Sequence, residues 1–124
     1  MSFCAVINCM DGRTQLPVNE YLRRQLDVDY VDTITEAAPV LILSEQQDSN
    51  AAKSIFERVN ISVTKHGSKT LAVVAHYDCT GNTADKDKQL IQLKTATQRL
   101  AGKYPDVQVL GLWVDSVWKV SEAC

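Results

Sequence analysis

Two short clusters in this sequence combine residue types that hold metals with residue types that handle protons. The first, Cys9-Met10-Asp11-Gly12-Arg13, sets a thiol, a carboxylate and a guanidinium at alternate positions; the second, His76-Tyr77-Asp78-Cys79, opens on an imidazole and closes on a thiol. Cys9, His76 and Cys79 together offer two thiolates and one imidazole, the donor set that Zn²⁺ takes tetrahedrally with one position left over. With water in that position the ion is a Lewis acid that lowers the water's pKa toward neutrality. With Asp11 in it the site is closed and silent. Arg13 lies two residues beyond Asp11, close enough for its fork to engage the carboxylate bidentately, hold it off the metal and turn it toward bound water. Asp11 and Arg13 therefore read as a gate, and the residues alone leave both occupants of the fourth position open.

Stepping from chemistry to support, the clusters follow the two best strand candidates. Phe3 to Cys9 is a short apolar run rich in strand formers, ended by the turn chemistry of Asp11-Gly12, and Leu71 to His76 is a continuous apolar run of the kind a strand covered on both faces requires. In open α/β sheets, ligands bind beyond the carboxyl ends of strands where the strand order reverses, so residues 67 positions apart can meet there. Val18, Leu22 and Leu26 predict a helix over Pro17 to Leu26, with the proline in its first turn. Tyr30 to Thr35 alternates as a second strand. Pro39 marks a turn, after which Val40 to Leu43 fits either a strand or a helix. Ala52, Ile55, Phe56, Val59 and Val63 share one face of a helix capped by Asp48 or Ser49 and closed by Lys65-His66-Gly67. Leu90, Leu93, Thr97 and Leu100 share a face of another, capped by Asn82 or Thr83, with Asp85 and Asp87 near the positive end of its dipole. Val107 to Val114 reads as the last main strand. Strands alternating with helices of this length predict one α/β domain over residues 1–124, a central, mostly parallel sheet with helices on both faces.

Composition narrows the function classes. The chain has 45% hydrophobic and 23% charged residues, enough of each to close a core and stay in solution. Its net charge of −2, with no basic run or aromatic-studded basic stripe, argues against nucleic-acid binding. Apolar runs such as Leu71 to Ala75 fall far short of the roughly 18 residues a membrane span needs, and Met1 to Met10 lacks the charged start and cleavage site of a secretory signal. The expected location is cytoplasmic. Four cysteines are too few for a disulfide scaffold, so they are expected as thiols or metal ligands. A thiol redox role fits poorly because no CxxC is present, and Cys9 to Arg13 is too short for a phosphatase-type CxxxxxR loop.

Taken together, the CxDxR cluster at Cys9 to Arg13 and the HxxC cluster at His76 to Cys79 resemble the metal site of the β-class carbonic anhydrases. The resemblance extends loosely along nearly the whole chain, through the helix before Gly67, the strand leading into His76, the polar helix after Cys79 and the strand around Leu112. It implies Cys9, His76 and Cys79 as zinc ligands and Asp11 with Arg13 as the dyad that positions or replaces the metal-bound water. The implied reaction is reversible hydration of CO₂ to bicarbonate, with the carbon held in a small apolar pocket. The family builds its pockets between subunits, which implies a homodimer or higher homo-oligomer. Three departures stand beside the likeness. Glu36-Ala37-Ala38-Pro39-Val40 replaces the family's Arg-Asn-Ala-Gly-Asn stretch, Thr80-Gly81 keeps only the second of two glycines, and the expectation is of a domain without the N-terminal helices that wrap a neighbouring subunit. The alternatives on the same scaffold are a zinc-binding or regulatory module without turnover, and a hydrolase of another small electrophile such as COS or CS₂.

Other residues receive structural readings. Cys4 is expected as a small buried hydrophobe, Asp78 as a turn former, His66 as a helix cap rather than a ligand and Cys124 as a mobile terminal residue. Trp113 and Trp118 are expected in core or interface packing, not necessarily on one face.

Overall fold

A computed structural model describes residues 1–45 and 48–124 of the chain. Its elements run β1 (Phe3–Cys9), α1 (Gly12–Leu26), β2 (Tyr30–Glu36), α2 (Pro39–Glu45), α3 (Asn50–Lys65), β3 (Thr70–His76), α4 (Lys86–Lys103), β4 (Gln108–Val114) and β5 (Val120–Glu122). They form the α/β sheet the apolar runs predict, in the order β2-β1-β3-β4-β5. The β1–β2, β1–β3 and β3–β4 pairs are parallel, and β5 returns antiparallel along β4.

The period-two alternation of the strands divides the core. Cys4 and Val6 of β1 and Ala72 and Val74 of β3 pack with Val18 and Leu22 of α1 on one face. Ala5 and Ile7 of β1 and Leu71, Val73 and Ala75 of β3 pack with α2, α3 and α4 on the other, through Leu43, Ile55, Val59, Leu93 and Leu100. Because α1 leads from β1 out to β2 at one edge, while α2 and α3 lead back past β1 to β3, the strand order reverses between β1 and β3. The crevice beyond the carboxyl ends of those two strands is the expected place for a ligand, and it is where Cys9 and His76 end their strands. No helix among the described residues is long and apolar enough to cross a membrane.

Several local expectations need correction. The first helix does not start at Pro17. Asp11 caps it with its side chain accepting from Arg13 N–H, Gly12 opens it, and Pro17 falls inside, where its missing N–H leaves the Arg13 carbonyl without its usual helical partner. The run after Pro39 resolves as helix, with the proline at the first helical position, where a fixed φ is preorganised. The last helix is capped by Asp85, which accepts from Lys88 N–H at 2.9 Å, and not by Asn82 or Thr83. Asn82 is engaged elsewhere, donating from Nδ2 to Gln92 Oε1 at 2.8 Å. Of the two caps considered for α3, Ser49 is the one used.

Cys124 is not loose. Gly111 N–H donates to its carbonyl at 2.8 Å, and the N–H groups of Ala123 and Cys124 both reach the Gly111 carbonyl. A Cβ at Gly111 would meet Cys124 Sγ at 2.5 Å and Leu93 at 3.1 Å, so glycine leaves room for those side chains against β4. His66 is the C-cap of α3 as expected, and its ring also stacks on Phe3 at 4.2 Å and bonds Asp32 Oδ2 through Nδ1 at 2.6 Å. Cys4 is fully buried, and burial together with the charge of Asp32 pushes its thiol up to about 11, an inert core residue.

Candidate metal centre

The ends of β1 and β3 carry Cys9 and His76 to the switch point, and the turn after β3 brings Cys79 back toward them. In that turn Asp78 is left-handed at φ 58°, a conformation a short polar side chain tolerates. One donor atom from each of Cys9, His76 and Cys79 lies within 4.8 Å of the other two, and all three residues are buried. These are the three donors that the sequence pairs across 67 positions.

The chemistry of the donors fits a cation. His76 Nδ1 donates to the Tyr77 carbonyl at 2.7 Å, so in the neutral ring Nε2 is the nitrogen left to serve as a ligand. Nε2 is buried, meets no strict hydrogen-bond geometry among the described residues, and faces the Cys9 thiol, the group it interacts with most strongly. Burial works against the Cys9 thiolate, yet the nearby His76 imidazole and the N–H groups of Ala38 and Asp11 outweigh it and bring Cys9 down to about 7. Cys79 moves the other way, raised by burial and by the neighbouring Cys9 charge. Two thiols this close cannot both ionise cheaply unless a positive charge sits between them. Burial opposes an imidazolium, and Cys9, the Tyr77 carbonyl and Asp11 overcome that to raise His76.

Asp11 stands outside this cluster and is turned onto Arg13. Arg13 Nε donates to both carboxylate oxygens at 3.0 and 3.2 Å, and Nη2 donates to Oδ2 at 2.7 Å. The same carboxylate accepts from Arg13 N–H at 2.9 Å, so helix cap and ion pair share one group. These bonds hold Asp11 down at about 2, ionised and acceptor-only through the ordinary pH range.

The pairing gives a signed prediction. A carboxyl depressed from 3.8 to about 2 stabilises the fold above about pH 4, and the stabilisation fades as pH falls through about 2. Asparagine caps helices as well as aspartate, so Asp11→Asn removes the charge and keeps the cap. Urea unfolding is expected to show the parent more stable than Asp11→Asn at about pH 5, with the gap closing toward about pH 2. A gap that stays constant over that interval would show that the ion pair contributes nothing.

Two residues that the sequence reading treats as structural join this site. Asp78 does form the turn, but its Oδ2 also accepts from Arg13 Nη1 at 3.2 Å and its carbonyl from Nη2 at 3.1 Å. Trp118, in the turn from β4 to β5, places its ring beneath the guanidinium, with the Arg13 carbon 4.4 Å from the ring centroid. Its φ of 62° is left-handed, a conformation that costs a bulky residue on the order of 1–3 kcal/mol and persists only where surroundings impose it. Asp78 lies inside the His76 to Cys79 cluster, a position the sequence offers, whereas Trp118 arrives through a hairpin that no local pattern announces. Trp113 packs in the core on the opposite face.

The departures around Glu36 and Gly81 also find their places. Glu36 sits beside Cys9 in register, and its carboxylate is taken by Arg58 Nη2 of α3 at 2.6 Å, so the reversed charge near the site is paired locally. Gly81 sits in close approach to the Ala38 segment, where a Cβ would meet Ala38 Cβ at 3.0 Å. Ala37, Ala38 and Gly81, with Cys9, Met10 and Asp11, line an open cavity of about 380 Å³ beside the donors.

Comparison with known proteins follows the same direction. The family model described as "Putative carbonic anhydrase" matches residues 1–124. No curated protein sequence matches the chain. Among solved structures, a carbonic anhydrase from Glaciozyma antarctica is similar with a TM-score of 0.69 at 14% identity, over 98% of this chain and 81% of that one. A structure from a study of two tetrameric β-carbonic anhydrases of Sordaria macrospora gives 0.60 at 11% identity, over 95% and 79%. The β-carbonic anhydrase CafA of Aspergillus fumigatus gives 0.55 at 15%, over 98% and 76%. At these identities the likeness is one of fold.

Proposed function

The chain belongs to the carbonic anhydrase family whose model it matches over its full length, and from that premise we propose that it catalyses the reversible hydration of CO₂ to bicarbonate at the Cys9, His76 and Cys79 centre. The observation that carries this reading is the convergence of two sulfurs and a buried imidazole nitrogen within 4.8 Å of one another at the sheet's switch point. Those three residues would hold one Zn²⁺. When bound, the ion supplies Lewis acidity that brings the pKa of coordinated water toward neutrality.

The remaining work falls to the chain's own groups. Asp11, kept ionised by Arg13, accepts a hydrogen bond from the reacting water and fixes the direction of its lone pair. Asp78 and Trp118 hold the far edge and the face of Arg13, so the carboxylate stays where Arg13 puts it. CO₂ carries no hydrogen-bond donor, and the small side chains of Ala37, Ala38 and Gly81 offer it an apolar cavity beside the donors. Buried His76 keeps its tautomer through the Tyr77 carbonyl.

We place the working unit as a homodimer or higher homo-oligomer. Met10, Leu16, Tyr77 and Val117 are exposed apolar residues in segments that follow the carboxyl ends of β1, β3 and β4, around the rim of the site. Apolar side chains gathered there would be covered by a second copy. Support also comes from the Sordaria proteins, which are tetrameric.

Stopped-flow CO₂ hydration on the zinc-loaded protein tests the activity. Rates above buffer at neutral or alkaline pH are expected. Rates no faster than buffer at both would leave a zinc-binding module and overturn the proposal.

A further inference from the structure

We propose that Trp118 is a positioning residue for this site: it keeps Arg13 locked on Asp11 and thereby keeps Asp11 off the metal. The inference rests on the zinc reading above. The edge of the guanidinium is occupied by Asp11 and Asp78, through Nε, Nη1 and Nη2, and its carbon lies over the indole ring, 4.4 Å from the centroid. Arg13 therefore cannot swing away from Asp11 without breaking a cation–π contact.

The indole is placed by its own turn and not by the arginine. Asp115 Oδ1 accepts from Val117 N–H at 3.0 Å and Lys119 N–H at 2.9 Å, and Trp118 N–H donates to the Asp115 carbonyl at 3.0 Å. These bonds force Trp118 left-handed, and β5 pins the far side of the turn to β4 through the Val114 and Val120 pair. The strain at Trp118 thus has an outcome: a ring held against Arg13, its centroid also 6.5 Å from that of His76.

Zinc affinity, measured by competition with a chromogenic chelator, gives a readout whose sign separates positioning from packing. Without the stack, Arg13 is held by its hydrogen bonds alone, and Asp11 leaves it more often to take the fourth position. Trp118→Leu is therefore expected to bind zinc more tightly, on the order of tenfold, the scale on which residues behind the ligands act, while kcat falls. In an Asp11→Asn background the same substitution is expected to leave affinity unchanged, and Trp118→Phe is expected to behave as the parent. Weaker or unchanged zinc binding in Trp118→Leu, or equal tightening with and without Asp11, would overturn the proposal.

If Trp118→Leu does not fold, the zinc-loaded parent decides. The Arg13 Nε–H resonance is expected to be shifted upfield by the indole ring current and to exchange slowly with water, and an unshifted, fast-exchanging signal would contradict the stack. A parent chain that binds no zinc would sink the reading of the site itself. A parent that binds zinc and hydrates CO₂, with Trp118→Leu following the contrary pattern, would sink the positioning role alone.

Discussion

Cys79→Ser is expected to leave the chain without its zinc and to bring CO₂ hydration down to the rate of buffer. Cys9, His76 and Cys79 are the whole protein contribution to the proposed coordination shell, with Asp11 turned away onto Arg13. A hydroxyl has nearly the size of a thiol but does not ionise near neutral pH, so serine keeps the packing and removes a thiolate donor. Substituting residues that merely support a ligand costs roughly 10–100-fold in metal affinity, and removing a ligand is expected to exceed that. The thiolate pair also explains why loss of one cysteine is more than the loss of one bond. In the metal-free chain Cys9 sits at about 7 and Cys79 is raised by burial and by Cys9, so the pair is organised around one shared cation. Metal analysis after dialysis against metal-free buffer should find about one zinc per parent chain and almost none in Cys79→Ser. Equal zinc in both would remove Cys79 from the site.

Asp11→Ala is expected to keep the zinc and lose on the order of a hundredfold in kcat, the lower end of what a positioned proton-handling group contributes. The carboxylate is held ionised by three donor contacts from the Arg13 side chain, so it serves as an acceptor at every pH at which the enzyme is expected to work. Its removal leaves the three donors intact. The split between an unchanged metal content and a lower kcat therefore separates it from Cys79→Ser. Arg13→Ala is expected to lower kcat as well, while freeing the Asp11 carboxylate from its ion pair. Steady-state hydration kinetics alongside zinc analysis make the measurement, and an Asp11→Ala protein that turns over at the parent rate would remove the dyad from the reaction.

The parts of the fold that were legible in the sequence are those where periodicity and burial agree. Phe3 to Cys9 and Leu71 to His76 read as strands because their positions face helices on both sides of the sheet, so nothing polar interrupts them before Asn8 and His76. The donors were legible for the same reason: each cluster begins where an apolar run stops. What escaped was set by contacts between distant segments or by competition among local signals. Val40 to Leu43 is an apolar run too short for its period to show, and its helix follows from Pro39 opening it. Asn82 looked like a cap, but its side chain binds Gln92 and Asp85 takes the role. The start of α1 was hidden by Pro17, since a proline usually marks a first turn and here lies inside a helix that Asp11 begins. Trp118 and the ordered Cys124 depend on a hairpin whose return strand is only three residues long, below what alternation can reveal.

Zinc K-edge absorption on the purified, zinc-loaded protein tests the central claim most directly, because it counts sulfurs around the ion without reference to activity. The arrangement of Cys9, His76 and Cys79 predicts two sulfur neighbours at about 2.3 Å and two nitrogen or oxygen neighbours at about 2.0–2.1 Å. A shell of nitrogen and oxygen alone, or one holding a single sulfur, would contradict it.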